Sequence, residues 1–135
     1  MDALGLHHVA MAVENLDSAI DAYERLFGAR VEERGRVEAQ GVDAAYLRIG
    51  DERVELVSPL RPDTPVGRFL AKRGPGMHHL ALEVEDVAAA IAELERDGAT
   101  MIDVEPRPGF GGHDVSFVHP ESVNGVLVEV VGRNE

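Results

Sequence analysis

The chain contains no cysteine. That single absence excludes disulfides, thiolate metal sites and cysteine nucleophiles, and it is consistent with a reducing, cytoplasmic location. Positive charge is also scarce. Thirteen Lys and Arg (13) stand against 25 Asp and Glu, a formal net charge of −12. A field of that sign repels a phosphate backbone, so nucleic acid is not expected as a partner, and the acidity reads first as a means of solubility. Long apolar runs are missing as well. No stretch approaches the roughly 20 residues a membrane helix needs. The opening Met1-Asp2-Ala3-Leu4-Gly5 lacks the basic segment and apolar run of a signal peptide. The expectation is therefore no membrane partner and no export. The few cations that could meet an anionic substrate, Arg61, Arg68, Lys72, Arg73 and Arg107, gather in two loop-like segments.

What is present is a globular composition. Apolar residues make up 44% of 135 positions, enough for one domain with a core. The most telling local feature is a repeat. Leu6-His7-His8-Val9-Ala10 returns as Met77-His78-His79-Leu80-Ala81. Each copy sits in an alternating apolar run that predicts a strand, at 6–13 and 77–84. Helical spacing follows each. Asn15 caps Leu16, Ala19, Ile20, Tyr23 and Phe27, with Gly28 as the stop; Asp86 caps Val87, Ala90, Ile91 and Leu94, with Gly98 as the stop. Three short strand-like runs then complete each half, near 29–34, 42–49 and 52–58, and near 100–105, 114–119 and 126–131. Between the halves, Thr64-Pro65 predicts an N-cap and first-turn proline, opening a short helix through Phe69 and Leu70. The fold expected is α+β, two tandem βαβββ modules. Module one covers about 4–58, the linker with its short helix about 59–76, and module two about 77–132. Halves of about 60 residues are marginal alone, so the whole of 1–135 is expected to form a single domain.

Alternation separates the two histidines of each pair. His7 shares a face with Val9, Met11 and Val13, the bulky side that packs on helices. His8 shares the other with Ala10 and Ala12, where small residues leave room. By the same count His79 falls with Ala81 and Glu83, opposite Leu80, Leu82 and Val84. The last strands match too. In Val54-Glu55-Leu56-Val57 and Val128-Glu129-Val130-Val131, each glutamate opposes the apolar face. An isolated histidine is more often a hydrogen-bonded structural residue than a ligand, and a lone glutamate in such a strand more often a solvated side chain. One His and one Glu at matching points of two repeats point instead to a metal site. Two imidazoles and two carboxylates suit a borderline-to-hard divalent ion. His7, His78 and His119 read as structural. Gly109-Phe110-Gly111-Gly112-His113 has no phosphate-loop spacing and reads as a turn.

These residues resemble the vicinal oxygen chelate, glyoxalase-like superfamily, and within it the methylmalonyl-CoA epimerase family. The segments carrying the likeness are Val54 to Leu60, Phe69-Leu70-Ala71-Lys72-Arg73-Gly74, Gly76 to Ala81, Glu105-Pro106-Arg107-Pro108-Gly109, His119-Pro120 and Gly125 to Glu129. The resemblance implies a cup-shaped, eight-stranded mixed-sheet domain and a homodimer. It implies one divalent ion per chain on His8, Glu55, His79 and Glu129, with cobalt the first expectation and manganese, magnesium, zinc or nickel also compatible. It implies an acyl-CoA thioester substrate, inverted at C2 by a 1,1-proton transfer through an enolate. Glu129 and Glu55 are the catalytic candidates. Lys72 and Arg73 are candidates for the CoA phosphates, Phe110 and His113 for other substrate contacts. The sequence departs from the family at one point. Where some members carry a glutamate after Gln-Gly-Val, this chain has Gln40-Gly41-Val42-Asp43-Ala44, and the matching position is Ala44; Glu55, Asp43 or a water is left for the second proton transfer. Two other functions share the fold: a glyoxalase I-type lactoylglutathione lyase and a non-catalytic small-molecule binder. An extradiol dioxygenase needs a site of two histidines and one carboxylate, and the fourth ligand argues against it.

Overall fold

The computed structural model describes residues 1–133. Its elements run β1 (Gly5–Ala12), α1 (Leu16–Phe27), β2 (Arg30–Val37), β3 (Val42–Ile49), β4 (Glu52–Pro59), α2 (Pro65–Arg73), β5 (Gly76–Val84), α3 (Val87–Arg96), β6 (Arg107–Pro108), β7 (Asp114–Val118) and β8 (Val128–Gly132). The fold is thus α+β, with the two βαβββ modules that the repeat predicts. The helix starts are set by their caps. Asn15 accepts from Ser18 N–H, Thr64 from Gly67 N–H and Asp86 from Ala89 N–H, each such cap contributing about 1 kcal/mol. Gly28 ends α1 at φ 68°, a left-handed turn that a side chain would resist.

Two compact units are present. One is His8–His78; the other joins Met1–His7 to the chain from His79 onward. Within the latter unit, Leu4 N–H donates to Glu83 O at 2.8 Å. A hydrogen bond to a strand so distant in sequence leaves no local signal.

In the first unit, β4 is the centre of the order β2-β3-β4-β1. It runs antiparallel to β3 and parallel to β1, with Ala10 opposite Glu55 and Tyr46 opposite Glu55 on the other side. Leu16 and Ile20 of α1 pack on Ala45, Leu47 and Leu56. In the second unit the order is β5-β8-β7-β6. Its central strand β8 is parallel to β5, with Ala81 opposite Glu129, and antiparallel to β7, with Phe117 opposite Glu129. Val87, Ala90 and Ile91 of α3 pack on Val84, Val118, Val128 and Val130. The register around the two glutamates is therefore the same in both halves, and both helices cover the face opposite them.

The second module departs from expectation in its second strand. No strand spans 100–105; Met101 makes one bridge to Val118, and the two residues of β6 follow later. Asp103 explains the break. Its Oδ2 takes the Phe117 N–H at 2.9 Å and its carbonyl takes the Ser116 hydroxyl at 2.7 Å, so a side chain occupies a donor that a continuous ladder would use. Pro106 and Pro108 then have no N–H to offer.

Candidate metal centre and its surroundings

Strand pleating puts Glu55 on the face that α1 leaves uncovered. In the first unit Val54 and Leu56 join the helix-facing apolar cluster, so Glu55 must point the other way. His8 lies two residues before Ala10, the strand partner of Glu55, and is on that same face. Its Nε2 stands 3.2 Å from Glu55 Oε1, with His8 only 1% and Glu55 5% exposed. Tyr46, opposite Glu55 on β3, tilts against the His8 ring at 5.3 Å between centroids. Above Tyr46 lies the Arg53 guanidinium, 5.3 Å from the ring centroid, and Arg53 Nε also donates to Glu32 Oε1 at 2.9 Å.

The second unit repeats this group. Val128 and Val130 pack toward α3, so Glu129 faces away from it. His79 Nε2 is 3.4 Å from Glu129 Oε1. Phe117, opposite Glu129, meets the His79 ring edge-on at 5.2 Å, and the Arg107 guanidinium lies 5.9 Å from the Phe117 centroid. His79 and Glu129 are buried. Each half thus holds a buried imidazole and carboxylate braced by an aromatic ring. A buried carboxylate costs several kcal/mol unless compensated, and a neutral imidazole nitrogen beside it is a second electron-pair donor. Both pairs are the N/O set that a divalent ion takes, so the residues fit such a group.

The electrostatics of the outer shell differ between halves. Burial raises the Glu32 carboxyl, but hydrogen bonds from Arg53 and Arg48, with their charges, bring it below its ordinary value. Arg53 is therefore matched to a committed anion. The partner of Arg107 is Asp103, with Oδ1 3.5 Å from Nε.

The other expected site residues fall as follows. Lys72 and Arg73 are exposed in the last turn of α2, with Arg73 over the Phe69 ring at 5.7 Å. Phe110 is buried. His113 is half-buried, its Nδ1 2.9 Å from Gly132 O and its ring edge-on to His7 at 4.9 Å. His78 packs edge-on to Phe69 at 5.0 Å, and His119 Nδ1 accepts the Glu121 N–H at 3.1 Å, so both take part in local packing or capping. The glycine segment is a turn: Gly109 N–H donates to His113 O at 2.8 Å, and Gly111 and Gly112 have φ of 81° and 79°. Asp43 alternates with Ala44 and so shares the helix-facing side with Ala45 and Leu47; it does not face Glu55. Ala44 does face that way and is fully buried. Sequence reasoning missed Tyr46 and Phe117. Alternation places each on a face, but only the pairing register sets it beside a glutamate.

Known proteins give this geometry a context. The family model described as the Glyoxalase/Bleomycin resistance protein/Dioxygenase superfamily matches residues 7–117. A mitochondrial methylmalonyl-CoA epimerase of Dictyostelium discoideum is 38% identical over 93% of this chain and 76% of its own. An ethylmalonyl-CoA/methylmalonyl-CoA epimerase of Cereibacter sphaeroides is 37% identical over 93% and 95%. The structure of a Streptomyces coelicolor methylmalonyl-CoA epimerase variant in complex with 2-nitronate-propionyl-CoA superposes with a TM-score of 0.96, at 34% identity, covering 99% of this chain and 100% of that one. A lactoylglutathione lyase of Neisseria meningitidis is more distant, 25% identical over 95% of this chain. With its matching His–Glu pairs, its strand order and these relatives, the chain belongs to the glyoxalase/bleomycin resistance protein/dioxygenase superfamily and, within it, to the methylmalonyl-CoA epimerases.

Proposed function

We propose that this chain inverts C2 of methylmalonyl-CoA by a 1,1-proton transfer, using one divalent ion held by His8, Glu55, His79 and Glu129. The observation that carries the reading is the repeated pair: His8 with Glu55 and His79 with Glu129, at 3.2 and 3.4 Å, in equal strand register. A bound divalent ion would supply Lewis-acid stabilisation for negative charge on the substrate's carboxylate and thioester oxygens. The protein's own groups do the rest. Glu129 takes the C2 proton as the C–H pair moves into the thioester carbonyl, giving an enolate. Glu55, entering as the carboxylic acid, gives its proton to the opposite face of C2 and ends ionised while Glu129 ends protonated, and the reverse reaction exchanges the roles. The buried Ala44 methyl is neither acid nor base, which leaves Glu55 as the ionisable carboxyl on its face of β4.

Lys72 and Arg73 supply exposed positive charge for the CoA phosphates, and Phe110 and His113 contact the acyl or pantetheine portion. Cobalt is the first candidate ion, with manganese, magnesium, zinc and nickel compatible with the same donors. The protein works as a cytoplasmic homodimer in this reading; no helix among the described residues is long and apolar enough to cross a membrane.

The test is exchange. Methylmalonyl-CoA is incubated in deuterated water with protein loaded in turn with each metal, and deuterium at C2 is followed by mass spectrometry. Incorporation that disappears in Glu129→Gln is expected. Absence of incorporation with every metal overturns the reading.

A further inference from the structure

We propose that Arg107 reads the substrate's free carboxylate and so makes the site selective for 2-carboxyacyl thioesters over plain acyl thioesters. The inference rests on the epimerase reading above. It begins with the register of the second unit. Glu129 pairs with Ala81 and Phe117, while Val131 pairs with Val115, which pairs with Arg107. Paired residues share a face. Arg107 therefore stands on the face that carries His79, Glu129 and Phe117, at the strand edge beyond them.

The floor between Arg107 and the His79–Glu129 pair is apolar. Ala81, Val115 and Val131 form a buried cluster there, and they offer the guanidinium no side-chain acceptor. Phe117 supports it from below at 5.9 Å. Asp103 orients it without saturating it. The carboxylate lies 3.5 Å from Nε, and the Nε, closed to solvent, has no aligned hydrogen-bond acceptor among the described residues. One oxygen of Asp103 is already taken by Phe117 N–H. A guanidinium has five N–H donors in a planar fork that matches a carboxylate, and the side chain is 37% exposed. It retains donors for an incoming anion.

An arginine of the first unit, Arg53 on β4, gives a contrast, although it does not hold the strand position that matches Arg107. Arg53 also lies over an aromatic ring beside a His–Glu pair, but Glu32 accepts from its Nε at 2.9 Å and from Arg48 Nε at 2.6 Å. Its charge is met by a well-aligned internal carboxylate. Of these two ring-stacked arginines, the one with capacity for a ligand carboxylate is Arg107.

The test compares equilibrium binding of methylmalonyl-CoA, propionyl-CoA and methylmalonyl-pantetheine to cobalt-loaded wild type, Arg107→Met and Arg107→Lys. Propionyl-CoA keeps the phosphates and lacks the carboxylate; the pantetheine thioester does the reverse. Arg107→Met should weaken methylmalonyl-CoA and methylmalonyl-pantetheine by about ten- to a hundredfold, the usual worth of a charge-assisted hydrogen bond, and leave propionyl-CoA unchanged. Arg107→Lys should restore part of the loss. Equal weakening of both CoA thioesters would place the contact at the phosphates and overturn the proposal, as would unchanged binding of all three. Bound cobalt and the melting temperature check that the variants fold; if Arg107→Met does not, Arg107→Gln takes its place. The two ideas fail separately. Selective binding without deuterium exchange sinks the epimerase reading alone, and exchange with unaltered selectivity in the variants sinks this one alone.

Discussion

Glu129→Gln exchanges a buried anion for a neutral group of the same shape, so its effect on stability should depend on whether metal is present. Glu129 is 5% exposed, and its ion-pair neighbour His79 Nε2, at 3.4 Å, is charged only when protonated. A buried carboxylate, even with a partner beside it, carries a desolvation cost that a neutral amide of the same shape largely avoids. The metal-free variant should therefore unfold within about 1 kcal/mol of wild type, or later. With metal the order reverses. An ion held at a hundred times its Kd stabilises the native state by about 2.7 kcal/mol, roughly 8–13 °C in Tm for a chain of this size. Removing one ligand weakens metal binding at least as much as losing an outer-shell partner, about 10–100-fold. At a hundredfold loss the same metal concentration stabilises by only about 0.4 kcal/mol, so the shift shrinks to about 1–2 °C. Scanning calorimetry of both proteins, chelated and with saturating cobalt, reads all four numbers. A cobalt-induced shift equal to that of wild type would show that Glu129 is not a ligand. A loss of several kcal/mol in the chelated variant would show instead that it is a structural acceptor.

Three further outcomes concern the scaffold. Leu47, fully buried between β3 and α1, should cost about 2–5 kcal/mol as Leu47→Ala in urea unfolding, with bound cobalt per folded chain unchanged. Asn15→Ala removes the acceptor of the Ser18 N–H at 2.9 Å and should lower stability by about 1 kcal/mol; no change in the urea midpoint would mean that solvent replaces the cap. Glu32 has a lowered folded pKa, so its contribution is complete above its unfolded pKa and is lost as pH falls through the folded one. Glu32→Gln should accordingly destabilise by up to about 1 kcal/mol at pH 7, and the gap from wild type should close in acid; a gap that is constant with pH would refute the ion-pair account.

Much of the candidate site was legible because it depends on short periods. Alternation alone put His8 and Glu55 on one face, and likewise His79 and Glu129, and in each unit the two side chains meet within 3.4 Å or less. Caps at Asn15, Thr64 and Asp86 were legible for the same reason: three residues contain the whole interaction. Tyr46, Phe117, Arg53 and Arg107 were not placed beside the site, because their positions follow from pairing register across separate strands. The expected strand at 100–105 failed for a related cause. Its apolar spacing is strand-like, yet Asp103 captures the Phe117 N–H with its side chain, a choice that hydrophobic pattern does not record.

The first seven residues have a practical consequence for anyone who wishes to cut or rearrange this chain. The internal repeat invites division near residue 76, as if each half could be expressed separately. Yet Met1–His7 belong with the unit that begins again at His79, and Leu4 is tied to Glu83 by its backbone N–H. A cut between the repeats strands an amino-terminal segment on the wrong fragment and leaves the carboxy-terminal fragment with an unpaired carbonyl on β5. For fragment complementation or half-gene chimeras, Met1–His7 should travel with the fragment that carries β5.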